Sequence, residues 1–380
     1  MTDAVIIAGV RTPRGKGSPK GALHDARPVD LVVHLLQALE SRGVAPAAVE
    51  DVLVGCATQV DGQGANLARI AALQAGWSVP GGTVNRFCAS GLDAIALASA
   101  RVRAGDAALV IAGGVESVSR VPMFSDRGPL DTIHMGVSAD LIATLDRCDR
   151  DALDDYADRS RTKARAAPRP PSLVTTHGLD HDQFLDGAPD RAALATFPPL
   201  FGDRTADAAR VHAAYPDAGA LRHLHTKGNS PQLADAAALV AVADREMADR
   251  LALPARARIV ATATCAVDPV IMLTGGQLAA ERALARAGLV ANDIAVFEFA
   301  EAFAATCLRF MRAFDVDHER LNPNGGTIAL GHAFGATGAI LALNVVDELE
   351  RRGARYGVAC VSGAAGLGSA MVIERLLAAA

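Results

Sequence analysis

The chain has 380 residues, of which 51% are hydrophobic and 35 are glycine, enough for a two-domain or three-part α/β protein with an ample core. Its net charge of −5 and scattered Lys and Arg leave no basic stripe for nucleic acid. No apolar run reaches the roughly 18 residues of a membrane span, and no signal-peptide pattern precedes the first strand-like run, so a cytoplasmic protein is expected.

In chain order, the apolar periodicity predicts a strand at Ala4–Ala8, a helix at Arg27–Arg42, a strand at Asp51–Gly55, helices at Gly64–Ala75 and Gly91–Ala104, and a strand at Ala108–Gly113. The regularity then fails between about Glu116 and Pro231, where Pro, Asp and Arg accumulate, as in an inserted, loop-rich subdomain. It resumes with a strand at Ala236–Val242, a strand-like run from Arg258 to Thr262, a helix at Gly275–Ala287 and a strand at Ala295–Phe299. Helices at Ala302–Phe314 and Gly335–Arg352 and strands at Gly357–Ser362 and Ala370–Glu374 complete the series. Short strands alternating with helices indicate βαβ units and a mainly parallel sheet.

The six cysteines, Cys56, Cys88, Cys148, Cys265, Cys307 and Cys360, form no CxxC pair and no His–Cys spacing of a zinc site, so no metal is expected and the thiols should be reduced. Cys56, Cys265 and Cys307 fall in apolar runs that read as core. Cys148, among Asp146, Arg147, Asp149 and Arg150, reads as a surface or loop thiol. Cys88 stands just before a predicted helix, where unpaired N–H groups and the macrodipole favour a thiolate. By itself that string suits a buried small residue as well as a nucleophile. The two flanking parts echo each other: Cys88-Ala89-Ser90-Gly91 and His332-Ala333-Phe334-Gly335 each open a helix that leads into a strand, as a duplicated domain would. If the halves pack about a pseudo-twofold, Cys88 and His332 meet at their interface.

These strings resemble the thiolase family from end to end. The nucleophile motif matches Thr83–Leu92, the following strand signature Ala112–Ser119, a middle Met-Gly motif His134-Met135-Gly136, the histidine motif Asn322–His332 and the C-terminal cysteine motif Cys360–Gly366. The resemblance implies a five-layered αβαβα fold from two similar halves plus an inserted loop subdomain. The first half would take residues 1–115 with 232–254, the subdomain covering CoA and acyl chain 116–231, and the second half 255–380. It also implies homodimers or homotetramers, no permanently bound cofactor, and acyl-CoA and coenzyme A as partners.

Residue by residue, the resemblance makes Cys88 the nucleophile, His332 its base and Cys360 the second acid/base. Backbone N–H groups of Cys88 and Ser362, with Gly363 beside them, would meet the oxyanions. Met135 and Phe334 would line the acyl or pantetheine channel, and Asn229 and Ser230 the coenzyme turn. Arg161, Arg210, Arg222 and Lys227 lie in territory suited to the CoA phosphates. The chain departs from the family pattern at four places: Ala300 replaces the Asn or His before Glu-Ala-Phe, Ala333 the Pro after His332, and Pro231 a small residue after Ser230. Ser362 and Ala364 replace glycines. Ala300 cannot donate the hydrogen bond that holds an oxyanion-stabilising water in relatives, a loss worth about 2.7–4 kcal/mol when a whole donor is removed. The expected activity is thiolysis of 3-ketoacyl-CoA, with an acetoacetyl-CoA thiolase or an acyl-CoA binder of weakened turnover as alternatives.

Overall fold

The computed structural model describes residues 2–123, 125 and 132–377. The first half runs β1 (Val5–Arg11), β2 (Gly15–Lys16), α1 (Pro28–Ser41), β3 (Asp51–Gly55), α2 (Leu67–Gln74), β4 (Gly81–Val84), α3 (Ser90–Ala104) and β5 (Leu109–Ser117). The middle carries α4 (Met135–Leu145), α5 (Arg150–Ala166), α6 (Arg191–Ala195) and α7 (Thr205–Ala214). β6 (Ala234–Ala243) and α8 (Arg245–Arg250) return to the first half. The second half comprises β7 (Ala257–Ala266), α9 (Gly275–Ala287), β8 (Ile294–Phe299), α10 (Ala304–Phe314), α11 (Thr327–Leu330), α12 (Phe334–Arg352), β9 (Tyr356–Ser362) and β10 (Leu367–Arg375). Among the described residues no helix is long and apolar enough to cross a membrane.

The strands follow the order β4-β3-β5-β6-β1-β7-β10-β9-β8. Between β1 and β7 the pairing shrinks to Val5–Arg258 and Ile6–Ala257, so two sheets meet at a narrow seam. Outward from that seam the halves repeat: β1-β6-β5-β3-β4 on one side and β7-β10-β9-β8 on the other, with Leu321 bridging β8 in the place of β4. β5 lies antiparallel to β6 and parallel to β3, as β9 does to β10 and β8. This is the duplication that the helix-opening strings suggested.

The expectation of a mainly parallel sheet is corrected. Among the described residues only the strand pairs β3–β4, β3–β5 and β8–β9 run parallel, whereas β1, β6, β7 and β10 pair antiparallel. The reason lies in the connections: β10 returns from β9 through a tight turn, and α4 to α7, between β5 and β6, build the middle section rather than a single crossover helix.

Each sheet is covered on both faces, which gives five layers. On the outside of the first sheet, Leu31, Leu35 and Leu39 of α1 and Leu67 and Ala71 of α2 pack on Val52, Ile111 and Leu239. Between the sheets, Leu92, Ile95 and Val102 of α3 and Ile340, Leu343 and Val346 of α12 meet Val110 and Val240 on one side and Ala359, Val361 and Met371 on the other. Outside the second sheet, Ala279 and Ala283 of α9 and Cys307 and Phe310 of α10 cover Phe297, Val358 and Val372. Double-sided burial explains why β5 and β6 read as unbroken apolar runs. The helices between them are punctuated as their sequences require: α3 and α12 each end on a left-handed glycine, Gly105 (φ 73°) and Gly353 (φ 65°).

The section expected to be loop-rich also holds α4 to α7, which its Pro, Asp and Arg content concealed. Asp149 caps α5 by accepting from Ala152 N at 2.8 Å, and Leu153, Tyr156 and Ala157 form its buried face. Cys148, expected as a surface or loop thiol, is instead buried against the outer cluster of the second half, where Asp146 beside it is bonded by Arg309 and Arg312 of α10.

Candidate active site

Past β4 the chain is bent sharply. Phe87 adopts a left-handed φ of 49°, a conformation costing on the order of 1 kcal/mol for a non-glycine residue. Side chains on either side hold it: Asn85 Oδ1 accepts from Phe87 N (2.9 Å), and Ser90 Oγ accepts from Arg86 N (2.8 Å) while donating to Phe87 O (2.6 Å). Asn85 Nδ2 anchors the bend to Ala57 O at 3.1 Å. Cys88 therefore sits two residues before the first turn of α3, 5% exposed.

His332 is fixed by backbone and side chain. Its N–H donates to Gln232 O (2.6 Å), its carbonyl accepts from Ala234 N (3.2 Å), and Nδ1 lies 2.8 Å from Thr337 Oγ1. With Nδ1–H donating to that hydroxyl, Nε2 keeps its lone pair. The ring meets Phe334 edge-on at 5.1 Å. Burial, helped by the positive charge of Arg14, holds the imidazole pKa down to about 3, so the resting ring is neutral.

Cys360 lies near the end of β9, fully buried. Burial, and then the neighbouring Glu298, push its thiol well above the usual cysteine range, so it keeps its proton. Its carbonyl accepts from Ala300 N at 3.1 Å, which binds the stretch after β8 to the end of β9.

The loops bearing these residues converge. A β-carbon on Gly91, three residues after Cys88, would lie 2.4 Å from Gly335 O, three residues after His332. Only the missing side chains let α3 and α12 start in such close contact. The turn after Cys360 arrives from the other side: a β-carbon on Gly363 would rest 3.6 Å from Arg86 O. Glu116 clamps the arrangement, accepting from Ala57 N (2.9 Å), Thr58 N (3.1 Å), Gln63 Nε2 (2.8 Å) and Gly335 N (2.9 Å). The Ala300 side chain is a fully buried methyl in the same apolar cluster as Cys88 and Phe334.

Other candidate residues are committed differently. Ser362 Oγ donates to Leu273 O (2.6 Å) and accepts from Gly276 N (2.9 Å), so its hydroxyl ties β9 to the start of α9. Asn229 Nδ2 donates to Asp154 (2.8 Å) and its Oδ1 accepts from Thr226 N (2.8 Å), so its amide shapes the turn from within. Ser230 Oγ is buried with no hydrogen-bond partner among the described residues. Asn229 O accepts from Ala304 N (3.2 Å), which sets this turn beside the segment that follows Ala300. Met135 is half-buried at the start of α4, against the outer cluster of the second half. Of the basic candidates, Arg161 is spent on Ala157 O (3.0 Å) and Gly228 O (2.7 Å), and Arg222 on Cys148 O (2.9 Å). Arg210 donates to Thr132 O (2.9 Å). Lys227 is exposed, with its Nζ 4.2 Å from the centre of the Phe197 ring. Lys227 and Arg161 line a cavity of about 570 Å³ beside this turn, with Gln232, Leu233 and Phe184.

Three residues of the neighbourhood escaped the sequence reading: Thr337, Glu116 and Arg14. Thr337 had a usable signal, a hydroxyl one turn into the helix that His332 precedes. Glu116 stood out as the single charge in an apolar strand. Arg14 had none, because its position depends on β2 pairing with the start of β6.

One further carboxyl is perturbed. Glu298 on β8 is fully buried, bonded to Asn344 Nδ2 at 3.0 Å, and burial chiefly raises its pKa to about 8. The folded pKa exceeds the unfolded one, so stability falls as pH rises from about 4.5 toward about 8. Glu298→Gln is therefore expected to gain ~3 kcal/mol relative to the parent between pH 5.5 and 8.5. Denaturant unfolding of both proteins at the two pH values checks this; parallel pH profiles would refute it.

Comparison with known proteins agrees along the whole chain. The description "Thiolase, N-terminal domain" matches residues 4–131 and "Thiolase, C-terminal domain" residues 253–375. The 3-ketoacyl-CoA thiolase of Bacillus subtilis is 35% identical over 98% of this chain and 100% of its own length. The 3-oxoadipyl-CoA/3-oxo-5,6-dehydrosuberyl-CoA thiolase of Escherichia coli is 36% identical over 99% and 100%. The crystal structure of the Bacillus anthracis acetyl-CoA acetyltransferase superposes with a TM-score of 0.86 at 31% identity, covering 99% of both chains. The chain belongs to the thiolase family.

Proposed function

We propose that this protein cleaves 3-ketoacyl-CoA with coenzyme A, releasing acetyl-CoA and an acyl-CoA two carbons shorter, in the breakdown of fatty acids or related acyl chains. The observation that carries the reading is the meeting of three loops at one point: the bend holding Cys88, the neutral His332 pressed against it through Gly91 and Gly335, and the protonated Cys360. Cleavage needs a covalent acceptor for the acyl group and a separate proton donor for the departing carbon. His332 takes the Cys88 proton, and the thiolate attacks the 3-keto carbon. As the C2–C3 bond breaks, Cys360 protonates the acetyl-CoA carbanion. Free CoA then gives its thiol proton to the Cys360 thiolate and attacks the acyl-Cys88 thioester; Cys88 leaves as thiolate and recovers its proton from His332, and the backbone N–H groups of Cys88 and Ser362 stabilise the oxyanions. CoA reaches the site along the cavity of about 570 Å³, where the exposed Lys227 meets its phosphates. Residues 116–231 form the cover, the active assembly is a homodimer or homotetramer, and the setting is cytoplasmic.

The test is acetyl-CoA release from short, medium and long 3-ketoacyl-CoAs plus CoA, beside Cys88→Ala. Turnover that vanishes in the variant supports the proposal, and preference for the four-carbon substrate would shift it to an acetoacetyl-CoA thiolase. No turnover at any length would refute it.

Ala300 favours a second reading, an acyl-CoA binder with weakened turnover, because its methyl offers no donor where relatives hold a water. Ala300→Asn is expected to raise kcat of thiolysis about tenfold, part of the hundredfold or more that one oxyanion donor supplies. Steady-state kinetics decide, and an unchanged or lower kcat would rule out a missing donor as the limitation.

A further inference from the structure

A second cavity, of about 690 Å³, opens over the outer part of α12, away from Cys88 and Cys360. Pro168, Pro170, Leu173, Leu185 and Leu330 give it apolar walls, and Arg14, 2% exposed, also lines it. Arg14 Nη1 has no hydrogen-bond partner among the described residues. That same nitrogen faces Asp182 Oδ2 across 3.6 Å, beyond hydrogen-bond length. Asp182 is already engaged: Arg11 grips both its oxygens (2.9 and 3.1 Å), and Oδ1 also accepts from Arg14 N (2.8 Å). Two buried guanidiniums thus share this carboxylate, and Glu301, whose charge Arg14 also feels, is bound by Tyr156, Ser160, Asn322 and Ile328 N.

The other acids of the cavity wall do not supply the missing partner. Asp347 is held by Arg256 (2.9 Å) and Ser172 (2.6 Å), Glu350 by Arg256 (2.6 Å), Glu348 by Arg351 and Asn324, and Asp180 by His181 (2.8 Å). Glu298, whose charge Arg14 would feel, is protonated at neutral pH. A guanidinium taken out of water favours charged acceptors, and its planar fork matches a carboxylate with two parallel bonds. The proline and leucine walls add room for an apolar body.

We propose that this cavity binds a monocarboxylate with a short apolar tail, its carboxylate pairing with the Arg14 guanidinium. Calorimetric titration of the full-length protein with hexanoate, 1-hexanol and inorganic phosphate tests it. One hexanoate is expected per chain, with the alcohol and phosphate at least tenfold weaker, and binding persists in saturating CoA. Arg14→Met is expected to weaken hexanoate at least tenfold. Leu185→Glu keeps Arg14 but offers it an internal carboxylate, and is expected to exclude hexanoate should the methionine variant fail to fold. The proposal is overturned if hexanoate does not bind, if CoA displaces it, if phosphate binds as tightly, or if Leu185→Glu binds it like the parent.

Discussion

Cys88→Ser is expected to abolish acyl-enzyme formation while leaving the fold intact. The substitution exchanges one buried atom in a bend whose hydrogen bonds come from Asn85 and Ser90, so nothing that shapes the turn is removed. What disappears is an ionisable nucleophile: a thiol can lend its proton to a neutral His332 and persist as thiolate beside the start of α3, whereas a hydroxyl cannot. Removing a nucleophile of this kind lowers kcat by about 10⁴-fold or more. Exposure to a 3-ketoacyl-CoA without free CoA, followed by mass spectrometry, is expected to find the acyl group on the Cys88 peptide of the parent and none on the variant. Turnover above about 1% of the parent would remove Cys88 from the role. Cys360→Ala gives the complementary result: acyl exchange between an acyl-CoA and Cys88 persists, because no carbon is protonated in that half-reaction, while carbon–carbon cleavage is lost. A simple acyl-CoA binder would show neither pattern.

The order of elements was legible because each half layers its sheets between helices. Buried strands such as β5 and β6 then appear as unbroken apolar runs, and helices end on Gly105 and Gly353. β4 escaped because its four residues, Gly-Gly-Thr-Val, are half-buried and two of them carry no side chain. The antiparallel returns of β6 and β10 were hidden because periodicity reports which face is buried, and direction is set by distant partners. In the site, Cys88 and His332 stood out as reactive residues before helix starts. The pressing of Gly91 against Gly335, and the Glu116 clamp between Ala57 and Gly335, are contacts between segments far apart in the chain and left no local trace. Likewise, the bond from the Asn229 amide to Asp154 left no local trace, because Asp154 lies on a helix that its local composition disguised.

That dependence on close approach gives Gly114→Ala a large structural effect next to the site. A β-carbon on Gly114, in the middle of β5, would lie 2.0 Å from Gly335 O, a distance side-chain carbons do not tolerate. The obstacle is backbone, so no rotamer change relieves it; the first turn of α12 must withdraw by about 1 Å to restore contact. Overpacking of this kind costs about 1–3 kcal/mol. The functional loss is expected to be larger in proportion, because Gly335 stands three residues after His332 and its N–H is held by Glu116. A 1 Å misplacement of a reacting group costs on the order of a hundredfold in rate. Gly82→Ala, whose β-carbon would meet only Leu53 at 3.6 Å, is the matched control and is expected to fold and turn over like the parent. Thermal unfolding and kcat measured together decide the matter. A hundredfold fall in kcat with a folded Gly114→Ala protein would place the contact between the two halves in the catalytic geometry itself, whereas parental kcat would mean that His332 is held independently of where α12 begins.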